Sequence, residues 1–116
     1  MAKLAVVVLS GQDNPTRASA GLHVAKRMHD ARDENGIEAV EVFLFTEGLK
    51  VVGETDSDLG RLIQNLLDAG IVVGGCTTQL NDWNLADQAR AAGIRTEFAR
   101  DTFSRYARDG WTVLTF

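Results

Sequence analysis

Cys76 is the residue in this sequence with the clearest capacity for chemistry, and it is the only cysteine among 116 residues. It ends the apolar run "IVVGGC", residues 71–76, and precedes a polar "TTQ". A thiol between a strand end and a helix start lies near backbone N–H groups and the positive end of a helix dipole, which stabilise a thiolate. Gly74 and Gly75 let a ligand or another backbone approach closely, so the pattern indicates an accessible nucleophile. The other interpretation is a small core residue, because cysteine is often fully buried.

Other residue types offer less chemistry. His23 and His29 lie six residues apart on one predicted helix, so they point in different directions and cannot share a metal ion. Asp13, Glu47 and Asp101 are single acidic residues at turns and caps, where such residues are usually structural. The sequence therefore predicts no metal site, no cofactor and no paired-carboxylate mechanism.

Strand and helix patterns alternate along the whole chain. Strands are predicted at residues 3–10, 39–45, 71–76, 95–99 and 111–116, and helices at residues 13–36, 57–70, 81–93 and 101–110. Residues 46–56, "TEGLKVVGETD", are predicted as a loop. Such alternation predicts α/β architecture in a single domain, residues 1–116: a three-layer α/β/α sandwich with a mainly parallel sheet of about five strands.

The carboxyl ends of parallel strands meet at one edge of the sheet, where ligands bind in this architecture. Cys76 falls at this edge as the candidate catalytic residue. The predicted supporting residues are those that follow the strands or flank the thiol, namely Gly75, Thr77, Thr78, Ser10, Gly48 and Trp83. Thr77 and Thr78 would steady an anion with their backbone N–H groups, whereas Trp83 could instead cover the thiol with apolar surface.

Composition narrows the class of partner. The formal net charge is −4, and the Lys and Arg residues are scattered, so no footprint for nucleic acid is predicted. The first apolar run is shorter than a membrane span and lacks a cleavage pattern, so no membrane association is predicted. One cysteine cannot form an internal disulfide, and a reducing cytoplasm is the expected location.

Several segments together resemble a known family. They are "KLAVVVLSGQDNP", "FLFTEGLKVV" with Gly48, "AGIVVGGC" and the terminal "GWTVLTF". In this order they resemble the DsrE-like family of sulfur-relay proteins, which includes DsrE/DsrF, TusD and YchN-type members. The resemblance implies that Cys76 accepts sulfur as a persulfide. It also implies partners that are sulfur donor and acceptor proteins or small persulfides, and assembly into a homo-oligomer.

The sequence departs from the family pattern after the cysteine. Gln79 stands where many members have a second cysteine, and Trp83 and Asn84 stand in place of an Arg-Gly pair. The leading hypothesis is a small sulfur carrier, and whether it also acts as a sulfurtransferase enzyme is left open. The alternative is a non-enzymatic module that binds a small ligand or assembles with other proteins, with an incidental cysteine. A redox sensor is a third candidate, but it would need an external thiol.

The predicted loop bears on assembly. Leu49, Val51 and Val52 would be exposed in it, and an apolar cluster in a loop often marks a contact surface. The expectation is therefore a dimer, trimer or hexamer with this loop buried at the interface.

Overall fold

The computed structural model of the chain describes residues 2–116, in which strands and helices alternate. The strands are β1 (Ala2–Val8), β2 (Ile37–Leu44), β3 (Val72–Cys76), β4 (Arg95–Glu97) and β5 (Trp111–Thr115). The helices are α1 (Pro15–Asp30), α2 (Arg32–Asn35), α3 (Glu47–Lys50), α4 (Asp58–Asp68), α5 (Thr77–Asp82), α6 (Ala86–Ala92) and α7 (Ala99–Arg108). A short 3-10 helix, Val51–Gly53, directly follows α3.

The strands form one five-stranded sheet in the order β4-β3-β2-β1-β5. Every adjacent pair is parallel. Because crossovers between parallel strands are right-handed, the connections from β1 to β4 run over one face, and the connection from β4 back to β5 runs over the other. The predicted parallel sheet is confirmed.

Alternating side chains of β2 show how the two faces are covered. Phe43 packs edge-on against Phe103 of α7, with ring centroids 5.6 Å apart. Val42 and Leu44 point to the opposite face, where α1 and α4 pack together, and both side chains are fully buried. Helices cover both faces of the sheet, so the predicted three-layer α/β/α sandwich is confirmed.

The two longest helices begin at residues that suit a helix start. Asn14 caps α1 by accepting a hydrogen bond from the Arg17 N–H at 3.2 Å, and Pro15 occupies the first helical position, where its missing N–H is no loss. Ser57 caps α4 by accepting from the Gly60 N–H at 3.0 Å. The first helix is shorter than predicted, because it ends at Asp30 and the separate α2 follows.

Residues 46–56 differ from the predicted loop. The short α3 and the 3-10 helix turn Leu49, Val51 and Val52 into the core, where their exposures are 0%, 2% and 8%. The prediction of an exposed apolar cluster is therefore wrong. A helix of four residues is too short to produce a recognisable hydrophobic period.

The helix predicted over residues 81–93 begins earlier and is interrupted. α5 starts at Thr77, directly after Cys76, and α6 follows it after a break. Asn84 lies in that break with a φ of 57°, a left-handed conformation that asparagine tolerates and that ends a helix. The earlier start places Cys76 at the N-cap of α5.

Candidate functional site

A pocket of about 460 Å³ opens at the carboxyl edge of the sheet. Its lining comes from the ends of β2, β3 and β4 and from the starts of α5 and α7: Phe45, Cys76, Thr78, Gln79, Phe98, Ala99 and Arg100. The parallel sheet brings these segments together because all its strands end at the same edge. This is the candidate site, and it contains the only cysteine of the chain.

Cys76 lines this pocket but is itself largely enclosed. Its exposure is 4%, and it belongs to the hydrophobic core. The expectation of an open thiol is therefore wrong, because the close packing of β3 between its neighbours buries the glycines and the cysteine alike. A reagent would have to reach the sulfur through the pocket.

The predicted supporting residues divide into two groups. Thr78 lines the pocket together with Cys76. The others do not line it: Gly75, Thr77, Ser10, Gly48 and Trp83. Ser10 is buried, and the Trp83 ring packs against the Lys50 ammonium, whose Nζ lies 4.9 Å from the ring centroid.

Two of the glycines are needed for packing. A Cβ on Gly75 would lie 2.8 Å from Leu49 Cδ1, on the side of the sheet away from α7. A Cβ on Gly48 would lie 2.2 Å from the carbonyl oxygen of Val8. Both positions allow close approach of neighbouring elements, so the structure gives them a packing role.

Phe98 and Arg100 are pocket residues that the sequence did not single out. Phe98 is 50% exposed, a high value for a large apolar side chain. Arg100 is exposed at the mouth of the pocket, and its Nε pairs with Asp101 at 3.1 Å. The signal for both was their position at the end of the fourth predicted strand, residues 95–99. Phe98 belongs to this strand and Arg100 directly follows it, at the same edge as Cys76. Arg100 therefore brings a positive charge to the lining of the pocket that holds Cys76, although this charge is partly balanced by Asp101.

Thr46 holds a strained backbone conformation next to the pocket. Its φ of 55° and ψ of −129° lie in a region that residues other than glycine rarely occupy, at a cost of about 1 to 3 kcal/mol. Its N–H donates to the side-chain oxygen of Gln79 at 2.8 Å. Its hydroxyl lies 2.8 Å from the Leu9 carbonyl oxygen and 2.7 Å from that of Phe45, so it can donate to either. Gln79 thereby ties the turn after β2 to α5.

Replacing Gln79 with leucine should lower the free energy of unfolding by about 1 to 2 kcal/mol, because the half-buried Thr46 N–H loses its acceptor. The Thr46 amide should also exchange with solvent faster, as measured by nuclear magnetic resonance. Gln79→Glu is the matched control, since a carboxylate oxygen can accept the same bond. Equal stability and equal Thr46 exchange in Gln79→Leu and the wild type would contradict this role.

A charged network lies between the sheet and α7, behind the pocket. The buried Glu41 Oε1 accepts from Arg105 Nη2 at 2.6 Å and from Arg95 Nη2 at 2.8 Å. The Tyr106 hydroxyl donates to the same oxygen at 3.2 Å. Glu97 accepts from both arginines, at 3.0 and 3.1 Å. The network therefore links β2 and β4 to α7. The first residues of α7, Ala99 and Arg100, line the pocket.

The protonation of this network follows from its surroundings. Burial raises the pKa of Tyr106, and the negative charge of Glu41 raises it further. The hydrogen bond to Glu41 raises the pKa of Arg105. Both side chains therefore remain protonated donors at neutral pH, and α7 stays bonded to the sheet.

Other parts of the described chain offer less chemistry. A second pocket of about 140 Å³ lies between the 3-10 helix, α4 and α6, and mostly aliphatic side chains with no cysteine or histidine line it. Within residues 2–116, no group of three or more His, Cys, Asp or Glu side chains is placed to hold a metal ion. None of the helices described over this range has the length and apolar character needed to cross a membrane.

Fold and pocket place the chain among small all-parallel α/β/α proteins. Neither a family model nor a curated protein matches the sequence. A solved structure of a conserved protein of unknown function from Bacteroides thetaiotaomicron is similar, with a TM-score of 0.75 and 17% identity over 97% of this chain and 94% of that one. Another, a protein of unknown function from Methanobacterium thermoautotrophicum, has a TM-score of 0.71 and 14% identity over 100% of both chains. Identities this low establish the fold alone, so membership of the DsrE-like family stays a prediction.

Proposed function

We propose that the protein is a small sulfur carrier that accepts sulfur as a persulfide on Cys76. The observation that supports this most is the position of Cys76 in the lining of a pocket at the carboxyl edge of the sheet. The resemblance of the sequence to sulfur-relay proteins, which includes the position of this cysteine, also supports it. The proposed partners are donor and acceptor thiols, on proteins or on small persulfides.

The transfer needs no oxidant or reductant. The Cys76 thiolate attacks the outer sulfur of a donor persulfide, R–S–SH, and the sulfur–sulfur bond of the donor breaks. The donor leaves as a thiolate with the bonding electron pair, and Cys76 carries S–SH. An acceptor thiolate then attacks the outer sulfur of Cys76 and regenerates the Cys76 thiolate.

The neighbouring residues have distinct parts in this proposal. Arg100 at the mouth attracts an anionic donor by its charge. The exposed ring of Phe98 gives apolar surface against which the donor packs. Gln79 and Thr46 hold the pocket wall in place. Thr78 contributes to the lining of the pocket beside Cys76.

Incubation with glutathione persulfide should add one sulfur atom to the wild type and none to Cys76→Ala, as measured by mass spectrometry of the intact protein. Alanine is the matched control because it keeps the position apolar in the core. Arg100→Gln should load several-fold more slowly, since this donor is anionic. If the wild type loads only after unfolding, the burial of Cys76 prevents transfer and the sulfur-carrier proposal fails.

The second candidate is a non-enzymatic module whose pocket binds a small ligand. The 4% exposure of Cys76 favours it, because a cysteine used only for packing would be enclosed in this way. In either case we propose a cytoplasmic homo-oligomer. Its interface is not the predicted loop, since the apolar residues of that segment are buried within the chain.

A further inference from the structure

The outer edge of β5 presents unpaired backbone groups. β5 lies at one end of the sheet and pairs only with β1 among residues 2–116. The Phe116 N–H donates to the Val7 carbonyl at 2.9 Å, and the Phe116 carbonyl accepts from the Leu9 N–H at 2.7 Å. Phe116 therefore directs both of its backbone groups towards β1. Since alternate residues of a strand direct these groups to opposite sides, Val113 and its neighbours two positions away direct theirs to the open edge.

This edge lacks the protection that sheet edges normally carry. Proteins guard such edges with charged residues, proline, bulges or very short strands. The opposite edge strand, β4, has three residues, and two of them are the charged Arg95 and Glu97. In contrast, residues 111–116 contain no charge, no proline and no glycine. Val113 and Leu114 are 40% and 39% exposed.

We propose that this edge pairs with β5 of a second copy of the chain, antiparallel across a two-fold axis at Val113. Trp111, Val113 and Thr115 direct their backbone N–H and carbonyl groups to the open edge, and they are spaced evenly on either side of Val113. Each outward N–H of one copy therefore meets an outward carbonyl of the other. The two sheets join into one continuous sheet.

The side chains also match in this arrangement. Trp111 lies opposite Thr115 of the partner subunit, Thr112 opposite Leu114 of the partner subunit, and Val113 opposite its own copy. All of these pairs are uncharged, so no like charges oppose each other. The edge can therefore form hydrogen bonds with its own copy without any repulsion between charges. This favours a second copy over an unrelated strand.

Sedimentation equilibrium of the full chain, with a reducing agent to exclude a disulfide through Cys76, tests the pairing. The wild type should have twice the mass of one chain at high micromolar concentration. Val113→Lys should be monomeric, because two ammonium groups would face each other at the axis. Val113→Pro should also be monomeric, because it removes the outward N–H without breaking a bond to β1.

Val72→Lys is the matched control. Val72 is 38% exposed and lies on the same face of the sheet, but it belongs to the interior strand β3. This variant should dimerise like the wild type, and circular dichroism should report the same fold for all variants. A monomeric wild type, or a Val113→Lys variant that dimerises as well as the wild type, would overturn the proposal. A wild type that stays monomeric until another protein adds a strand would overturn it as well.

Discussion

Glu41→Ala should lower the free energy of unfolding by about 3 kcal/mol, the lower end of the range for breaking a buried ion pair. The loss follows from the geometry, because Arg105, Arg95 and Tyr106 all donate to Glu41. Without the Glu41 carboxylate, Arg105 keeps only Glu97 as a hydrogen-bonded partner. The buried Tyr106 hydroxyl loses its hydrogen-bond acceptor. Arg95 is half-exposed and can return to water, which keeps the effect below the upper end of the range.

Urea denaturation measures this effect, with Glu38→Ala as the matched control. Glu38 lies on the same strand but is exposed, so its removal should change the free energy of unfolding by less than about 0.5 kcal/mol. If Glu41→Ala destabilised the protein no more than Glu38→Ala, the network would make no measurable contribution to the free energy of unfolding. Since α7 carries Arg100, Glu41→Ala should also slow persulfide loading.

Gly48→Ala should destabilise the protein by about 3 kcal/mol, the upper end of what overpacking usually costs. The added Cβ would lie 2.2 Å from the Val8 carbonyl oxygen, a backbone atom at the end of β1 that cannot move aside alone. The Gly48 N–H also donates to the Leu9 carbonyl at 3.2 Å, so displacement of α3 would weaken this bond as well.

Thermal unfolding of Gly48→Ala and Gly53→Ala would separate a steric effect from a general intolerance of alanine. A Cβ on Gly53 would meet only side-chain atoms, Leu85 Cδ2 at 3.2 Å and Gln88 Oε1 at 3.9 Å, and flexible side chains can shift. Gly53→Ala should therefore cost less than about 1 kcal/mol. Equal losses in the two variants would exclude the contact with Val8 as the cause.

The layered architecture could be predicted from the sequence because it depends on long patterns. The apolar run of β1 and the spaced leucines of α4 each extend over several residues, and their alternation is enough to specify a parallel sheet with helices on both faces. The position of Cys76 at the carboxyl edge followed from the same alternation. The prediction missed the short elements for the opposite reason, because α3 and α5 are too short for a helical period of apolar residues to appear.

The depth of burial at the site could not be predicted, because it depends on which strands become neighbours. Cys76 looked accessible beside two glycines and a polar segment, but β3 is an interior strand with β2 and β4 on either side. The Glu41 network was also missed, since its partners come from β4 and α7. A glutamate within the apolar run "AVEVFLF" was the available signal, because an acidic residue in a buried strand needs a partner.

The strand order also determines when each strand can find its partners as the chain leaves the ribosome. β1, β2 and β3 emerge in the order in which they pair, so a nascent chain can assemble them progressively. The second neighbour of β1 is β5, which is synthesised only after all the other strands. Until then, the apolar β1 has one open edge, and a ribosome that stalls before residues 111–116 would hold a chain prone to intermolecular strand pairing. The closure of β5 onto β1 is therefore the last strand pairing that becomes available to the chain during synthesis.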